Sequence, residues 1–196
     1  MTEIDPARLA RLGELLDRQD IYDCLKRISR GIDRFDRELF LSGYHADAVI
    51  DAGHNVSDPA TTYDGGMALH DAGQDATLHH LTNHSCELDG DTAHAETYFL
   101  YVGRNKDGSN WAAGGRYIDR LERRNEWRIA FRYTIIDWSG MVPQTQVPLF
   151  TGLSEDAQAN GIPSRSREDP SYRRPFTNLR QSHIMDDPTA YSRPDA

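Results

Sequence analysis

The chain has 196 residues, of which 38% are hydrophobic and 27% charged, so it is long enough for one domain with a buried core and an appendage. A formal net charge of -9 argues against a nucleic-acid partner, because phosphate binding requires a basic surface. No stretch approaches the roughly 18 apolar residues of a membrane span. The charged N-terminus has no apolar core of a secretory signal, so we expect a cytoplasmic protein without a membrane partner.

Three helices are predicted at the start of the chain. Leucines at helical spacing predict a short amphipathic helix over residues 7–19. Asp20 is expected to cap a second helix, whose apolar stripe includes Ile21, Leu25 and Ile28. Asp36 is expected to cap a third helix that ends near Ser42.

The next part of the chain changes from helical to strand-like patterns. A short strand is predicted at 44–51, a loop rich in Gly, Asp, Asn and Pro at 52–65, and a helix at 66–77. Four strands follow, separated by turn signals, at 79–88, 92–103, 111–123 and 127–138. Helices followed by a meander of antiparallel strands predict an α+β domain, with the helices packed on one face of a curved sheet.

The composition changes again after about Ser139, where prolines punctuate a Ser-, Arg- and Asp-rich tail without periodicity. We therefore predict two parts, a domain over residues 1–145 and an extended Pro/Arg-rich arm over residues 146–196. The arm is expected to lie on its own domain or on a neighbouring subunit. The two cysteines, Cys24 and Cys86, are predicted to be thiols and not a disulfide.

Asp33 and His79 are the candidate catalytic pair. Asp33 lies on the edge of an apolar helical stripe, near the C-terminal end where the helix dipole disfavours a carboxylate. His79 opens a strand. A carboxylate that orients an imidazole makes a general base near neutral pH, and the alternative is a structural histidine with Asp33 paired to Arg30 or Arg34.

A metal site is the competing interpretation of His79, His80 and His84. Strict strand alternation would place His80 and His84 on one face and His79 with Asn83 on the other, which leaves no three-ligand set. No metal is therefore predicted. Asn83 is instead a candidate donor to a substrate, or a loop residue that bonds to the backbone.

The ordered set of segments resembles the nuclear transport factor 2-like superfamily, in its SnoaL-like and scytalone dehydratase-like branch. The resemblance covers residues 8–145. The segments that carry it are 31–36 (GIDRFD), 44–48 (YHADA), 79–83 (HHLTN), 89–93 (DGDTA), 115–122 (GRYIDRLE), 127–133 (WRIAFRY) and 137–138 (DW). It implies a cone, in which a bent antiparallel sheet wraps around helices and encloses an apolar pocket.

The resemblance also implies site residues and an assembly. Scytalone dehydratase and hexachlorocyclohexane dehydrochlorinase are trimers without metal or organic cofactor, and their His–Asp dyad corresponds to His79 and Asp33. A pocket arginine of the dehydrochlorinase corresponds to Arg132. Its catalytic lysine falls on Ile28 and its pocket phenylalanine on Arg116, which suggests a more oxygenated substrate.

Further residues are expected to contact the substrate. The family's strand parity turns Phe99 and Tyr101 into the pocket, and Tyr44 is placed to give a phenol hydrogen bond or to pack. Arg116 and Arg132 lie in mid-strand. If they face inward, each must pair with a carboxylate or a substrate oxygen; if outward, each pairs with surface Asp or Glu.

These observations predict a cofactor-independent lyase that acts on a small aromatic or polycyclic hydroxylated substrate. The family resemblance implies a dehydration, or the deformylation of a lignin-derived diarylpropane diol with release of formaldehyde. Two alternatives are open, a non-catalytic small subunit of a ring-hydroxylating assembly and a ketosteroid-type isomerase with a carboxylate base. A homotrimer is expected from the resemblance.

Overall fold

The structure is a computed structural model that describes residues 5–143 and 158–180. The chain divides into two compact units, Met1–Val142 and Pro143–Ala196. Within the described part of the chain, no helix is long and apolar enough to cross a membrane. Both cysteines are free, Cys24 in the core and Cys86 partly exposed, and burial raises the pKa of Cys24 to about 11.

The first unit contains three helices, α1 (Pro6–Asp33), α2 (Arg37–Leu41) and α3 (Pro59–Gly73). An aspartate precedes each helix, and its side chain accepts from a backbone N–H of the first turn. The predicted cap at Asp36 is present. The predicted break at Asp20 is wrong, because α1 runs through it as one helix of 28 residues.

The start of α3 also differs from the prediction. Asp58 caps the helix and Pro59 occupies its first turn, where proline's missing N–H has no cost. The helix therefore occupies much of the predicted loop at 52–65. It ends at Gly73, and the residues that follow belong to a strand and not to the predicted helix at 66–77.

Helix α1 has two apolar stripes on opposite sides. Nine residues separate Leu12 from Ile21, and the same spacing separates Leu16 from Leu25. At about 100° per residue, nine residues turn the helix by two and a half turns, so the two members of each pair lie on opposite faces. The core begins at Ile21, and the leucines of the first turns are exposed. The first half of α1 is therefore helical as predicted, but its stripe contributes nothing to the core of its own unit.

Six strands form one unclosed curved sheet in the order β2-β1-β6-β5-β4-β3. The strands are β1 (Tyr44–Asp51), β2 (Val56–Ser57), β3 (Gln74–Asp89), β4 (Thr92–Asn105), β5 (Asn110–Arg123) and β6 (Trp127–Val142). The long strands β3 to β6 form the predicted antiparallel meander, and β1 pairs with β6 in parallel. The predicted α+β fold with helices against a curved sheet is confirmed.

A β-bulge in β3 changes which side chains face the helices. Leu81 pairs with Phe99 and His84 pairs with Thr97, so three steps along β3 match two along β4. Alternation restarts after the bulge, and His84 lies on the same inner face as His79. The predicted grouping of His80 with His84 is wrong for this reason.

The inner face of the sheet carries two apolar clusters. The larger one joins α1, α2 and the strands around Ile21, Ile28 and Phe40. Gly31 permits this packing, since a Cβ there would lie 2.6 Å from the backbone nitrogen of Phe40. The smaller cluster is aromatic and consists of Phe99, Tyr101, Ala113 and Tyr117.

The second unit is described only over residues 158–180. It contains a short 3-10 helix, Pro170–Tyr172, capped by the buried Asp169. Asp169 also accepts from the backbone N–H of Ser164 at 2.9 Å. The rest of the predicted arm, residues 146–157 and 181–196, lies outside the described residues.

Candidate active site

Asp33 and His79 form a direct hydrogen-bonded pair. Asp33 is the last residue of α1, and its Oδ1 lies 2.7 Å from Nδ1 of His79. Its Oδ2 accepts the backbone N–H of His79 at 2.8 Å. The two side chains are only 12% and 9% exposed. Two charge-assisted hydrogen bonds thus offset the unfavourable position of a carboxylate at a helix C-terminus.

This geometry determines which imidazole nitrogen can react. An ionised carboxylate only accepts hydrogen bonds, so Nδ1 of His79 must carry a proton and donate it to Asp33. In the neutral ring Nε2 then holds the lone pair. The carboxylate also stabilises the imidazolium that forms when Nε2 takes a proton.

Tyr101 lies beside this pair on the inner face of the sheet. Its ring centroid is 4.8 Å from that of His79, with the planes at 62°. The Tyr101 hydroxyl donates to Oε1 of Gln74 at 2.7 Å, and Nδ1 of His70 lies 2.6 Å from the same oxygen. The ring centroids of His70 and His79 are 6.5 Å apart.

Sequence reasoning missed His70 and Gln74. His70 lies in the last turn of α3 and Gln74 is the first residue of β3. Both fall within the helix predicted at 66–77, away from the strand that carries His79. Asp58 and Pro59 form a helix start signal about two turns before residue 66. A helix that starts there ends earlier as well, which brings both residues to the helix–strand junction.

Aromatic side chains extend from Tyr101 along the inner face of the sheet. Phe99 stacks on Tyr117 with centroids 4.5 Å apart, and Trp111 contacts Tyr101 edge-on at 5.0 Å. Burial raises the pKa of Tyr117 to about 12, so its phenol is neutral at ordinary pH. This wall is suited to an apolar ring.

A cavity of about 490 Å³ opens between α1 and the start of β3. Both members of the pair line it, and its size is in the range of small-molecule sites. It is lined by Tyr22, Lys26, Ser29, Arg30, Asp33, Arg34, His79, His80 and Leu81. The Asp33–His79 pair is therefore accessible to a ligand from this side.

Arg132 faces inward, as the resemblance implies, but a carboxylate already binds it. Its Nε and Nη2 donate to the two oxygens of Asp119 at 2.7 and 2.8 Å. The residues are 4% and 1% exposed, and the Arg132 guanidinium lies 4.1 Å from the ring centroid of Tyr117. Burial opposes the charge, yet Asp119 outweighs it and raises the pKa of Arg132 above its ordinary value.

Arg116 lies on the outer face of the sheet, opposite the aromatic wall. It donates to both oxygens of Asp137 at 3.0 and 3.1 Å, and to Glu96 at 3.1 Å. These carboxylates raise its pKa. The structure thus contradicts the expectation that Arg116 faces the pocket, because strand parity turns it outward.

The two remaining predicted substrate contacts are also separate from the pair. Tyr44 is buried in the larger cluster, where its ring packs on Phe40 at 5.0 Å. Burial raises the pKa of its phenol. Asn83 lies in the β3 bulge and is exposed. Neither of the two lines the cavity that contains Asp33 and His79, and the buried Phe99 and Tyr101 do not line it either.

His84 shares the inner face with His79 but has other neighbours. Its Nδ1 lies 2.8 Å from the hydroxyl of Thr97, and its ring is 5.0 Å from that of Tyr22. Burial lowers its pKa, which favours the neutral ring. Over residues 5–143 and 158–180, no three His, Cys, Asp or Glu side chains are grouped so that they could hold a metal.

Solved structures with the same fold include the following three. A hexachlorocyclohexane dehydrochlorinase, LinA type 2, is 18% identical with a TM-score of 0.62, over 74% of this chain and 99% of that one. A candidate scytalone dehydratase from Novosphingobium aromaticivorans is 15% identical with a TM-score of 0.60, over 67% and 91%. A candidate aromatic ring hydroxylase from the same organism is 23% identical with a TM-score of 0.59, over 65% and 94%.

At these identities the likeness shows a shared fold and no more. No curated protein matches the chain. The profile of the SnoaL-like domain, in contrast, matches residues 13–133, which is more than half of the chain and contains Asp33, His79 and Tyr101. The resemblance predicted from the sequence is confirmed, and the chain belongs to the SnoaL-like domain family of the NTF2-like superfamily.

Proposed function

We propose that the protein is a lyase that needs no cofactor and uses His79, oriented by Asp33, as its general base. The observation that carries this proposal is the pair of hydrogen bonds that Asp33 accepts, one from the backbone N–H of His79 and one from its ring. It holds the imidazole in one tautomer with Nε2 left for a substrate proton. The likeness to a dehydrochlorinase and to a candidate scytalone dehydratase agrees with this class.

We propose a small aromatic or polycyclic hydroxylated compound as the substrate. The wall of Phe99, Tyr101, Trp111 and Tyr117 offers ring-stacking surface near His79. The cavity of about 490 Å³ accepts a molecule of one or two rings. Hydroxyl groups on the substrate would match polar side chains that line this cavity, among them Ser29, Arg30 and His80.

Two reactions are compatible with one base. In a dehydration, Nε2 of His79 takes a proton from carbon, the C–H electrons form a C=C bond, and the neighbouring C–O bond breaks. The hydroxide then takes the proton from the imidazolium and leaves as water.

In a deformylation, Nε2 of His79 takes the proton of a substrate hydroxyl. The C–O bond of that hydroxyl becomes C=O and the adjacent C–C bond breaks. The carbanion left behind takes the proton back from the imidazolium. Formaldehyde leaves.

The geometry disfavours a carboxylate base of the ketosteroid isomerase type. Both oxygens of Asp33 are engaged by His79, at 2.7 and 2.8 Å. Lone pairs that already accept these hydrogen bonds are not directed at a substrate. Asp33 is therefore better suited to orient His79 than to attack the substrate itself.

The test is incubation of the purified full chain, without cofactor and with a chelator, with a panel of lignin-derived diols and hydroxylated polyketides. Product masses are compared with those from His79→Gln, which keeps side-chain size and polarity. A loss of 18 or 30 mass units with the wild type alone supports the lyase and separates the two reactions. Equal products from both proteins contradict the role of His79, and turnover only with an added large subunit favours the scaffold alternative.

We propose further that copies of the chain associate through the outer face of the sheet. Large side chains there are exposed, among them Tyr98, Leu100, Tyr133 and Trp138, around the ion pairs of Arg116. Tyr, Trp and Arg are enriched at protein interfaces. We expect Tyr98→Glu combined with Tyr133→Glu to lower the molar mass measured by light scattering, and a monomeric wild type would contradict the proposal. A trimer is the assembly that the family suggests.

A further inference from the structure

Gln74 is the hydrogen-bond acceptor on which two side chains beside His79 converge. Its Oε1 lies 2.7 Å from the hydroxyl of Tyr101 and 2.6 Å from Nδ1 of His70. Its Nε2 faces the other way and donates to Oδ1 of Asn105 at 3.4 Å. This arrangement assigns the amide orientation, since the oxygen faces two groups that can donate and the nitrogen faces an acceptor.

The sheet leaves space for this group of side chains. Gly103 lies on β4, and a Cβ there would be 2.3 Å from Nε2 of Gln74 and 2.7 Å from the hydroxyl of Tyr101. Gln74 itself is buried. A buried amide is stable only with its hydrogen bonds made, so the contacts to Tyr101 and His70 are part of a closely packed unit.

The consequence for Tyr101 is that its ring is held at both ends. The hydroxyl donates to Gln74 and also lies 3.4 Å from Nδ1 of His70, and the ring lies between His79 at 4.8 Å and Trp111 at 5.0 Å. The planes of His79 and Tyr101 meet at 62°, an edge-on contact that is sensitive to small rotations. Tyr101 also gives its proton to Gln74, so its hydroxyl presents lone pairs and not a proton to other partners.

We infer that Gln74 is a positioning residue of the active site, which fixes Tyr101 against the imidazole of His79. The effect on turnover rests on the proposed lyase function, whereas the effect on the His79 ring does not. Gln74 exerts this effect through Tyr101, whose hydroxyl proton it accepts. His70 supports it as the second donor to the same oxygen.

The experiment compares Gln74→Met, which keeps the length of the side chain but removes the acceptor, with wild type and with the matched control Gln19→Met. Gln19 is exposed on α1, and in the described part of the chain its side chain donates to Asp23. The first readout needs no substrate. It is the NMR signal of the His79 ring protons, whose shifts depend on the ring current of Tyr101. We expect these signals to move in Gln74→Met and to stay unchanged in Gln19→Met.

The second readout is kinetic and uses Tyr101→Phe. Misplacement of a group by about 1 Å can lower a rate by up to 100-fold, so we expect Gln74→Met to lose about 10- to 100-fold, mostly in kcat. In a Tyr101→Phe background, which already lacks the tether, Gln74→Met should cause little further loss. Non-additivity of this kind is not produced by general destabilisation.

Three outcomes overturn the inference. They are unchanged His79 signals in Gln74→Met, equal shifts in the Gln19→Met control, and fully additive rate losses with Tyr101→Phe. If the protein shows no lyase activity but the His79 signals move as expected, the proposed function fails and the positioning role stands. If Gln74→Met does not fold, Tyr101→Phe takes its place, because it removes the same tether and keeps the ring: shifted His79 signals support the inference and unchanged signals overturn it.

Discussion

Replacing Asp33 with asparagine is expected to lower kcat by about 10²- to 10⁴-fold, the range lost when a base is removed or held in the wrong tautomer. Asp33 accepts two N–H groups from His79, one on each oxygen. Asparagine has one oxygen and one NH₂. If the asparagine oxygen still accepts from the backbone N–H of His79, its NH₂ group faces Nδ1 of the ring. Nδ1 must then accept a hydrogen bond, so the ring proton moves to Nε2 and the lone pair that would act as the base is lost.

The matched control for this prediction is Asp36→Asn, three residues along the chain. Asp36 caps α2 by accepting from the backbone N–H of Leu39, and asparagine caps helices equally well. We expect its activity to stay within about twofold of wild type. The measurement compares the initial rates of Asp33→Asn, Asp36→Asn and wild type on the substrate identified in the panel, and circular dichroism checks that each variant is folded. An Asp33→Asn protein that is folded and nearly as active would show that Asp33 has only a structural role.

The largest expected effect on stability comes from Asp119. Asp119→Ala leaves the guanidinium of Arg132 buried without its carboxylate, and removing one partner of a buried pair costs about 3–5 kcal/mol. That is a large part of the 5–15 kcal/mol that stabilises a typical domain. Urea unfolding followed by tryptophan fluorescence measures the change.

Two further variants make this prediction specific. Asp119→Leu combined with Arg132→Met removes both charges and is expected to recover most of the free energy of unfolding. Asp64→Ala breaks the exposed pair with Arg37 and should cost no more than about 1 kcal/mol. A double variant as unstable as Asp119→Ala would contradict the assignment. If the stable double variant loses activity, Arg132 also contacts the substrate, as the family resemblance suggests.

Much of the fold follows from local patterns in the sequence. The strands β3, β4 and β5 alternate buried and less buried residues over most of their length, β6 does so in its first half, and turns that contain Asp-Gly or Asn separate them. The helix boundaries were less predictable. Asp20 is a residue type that often caps helices, yet α1 continues through it. A side chain can cap only where its own backbone leaves the helical conformation, and the backbone of Asp20 stays helical.

The candidate site was predictable only in part. Asp33 at the end of a stripe and His79 at the start of a strand suggested the pair, and the structure brings them into contact; their catalytic role remains a prediction. The β3 bulge has no clear sequence signal, so the face of His84 was assigned incorrectly. The partners of Arg116 and Arg132 depend on strand register, which residue types alone do not determine.

The most direct test of the central claim is the tautomer of His79, measured by ¹⁵N NMR on the full chain without substrate. The structure predicts that the neutral ring is protonated at Nδ1, with that proton hydrogen-bonded to Asp33, and that Nε2 is unprotonated. A ring protonated at Nε2, or a rapid mixture of both tautomers, would contradict the account, because Asp33 would then not prepare His79 to act as a base.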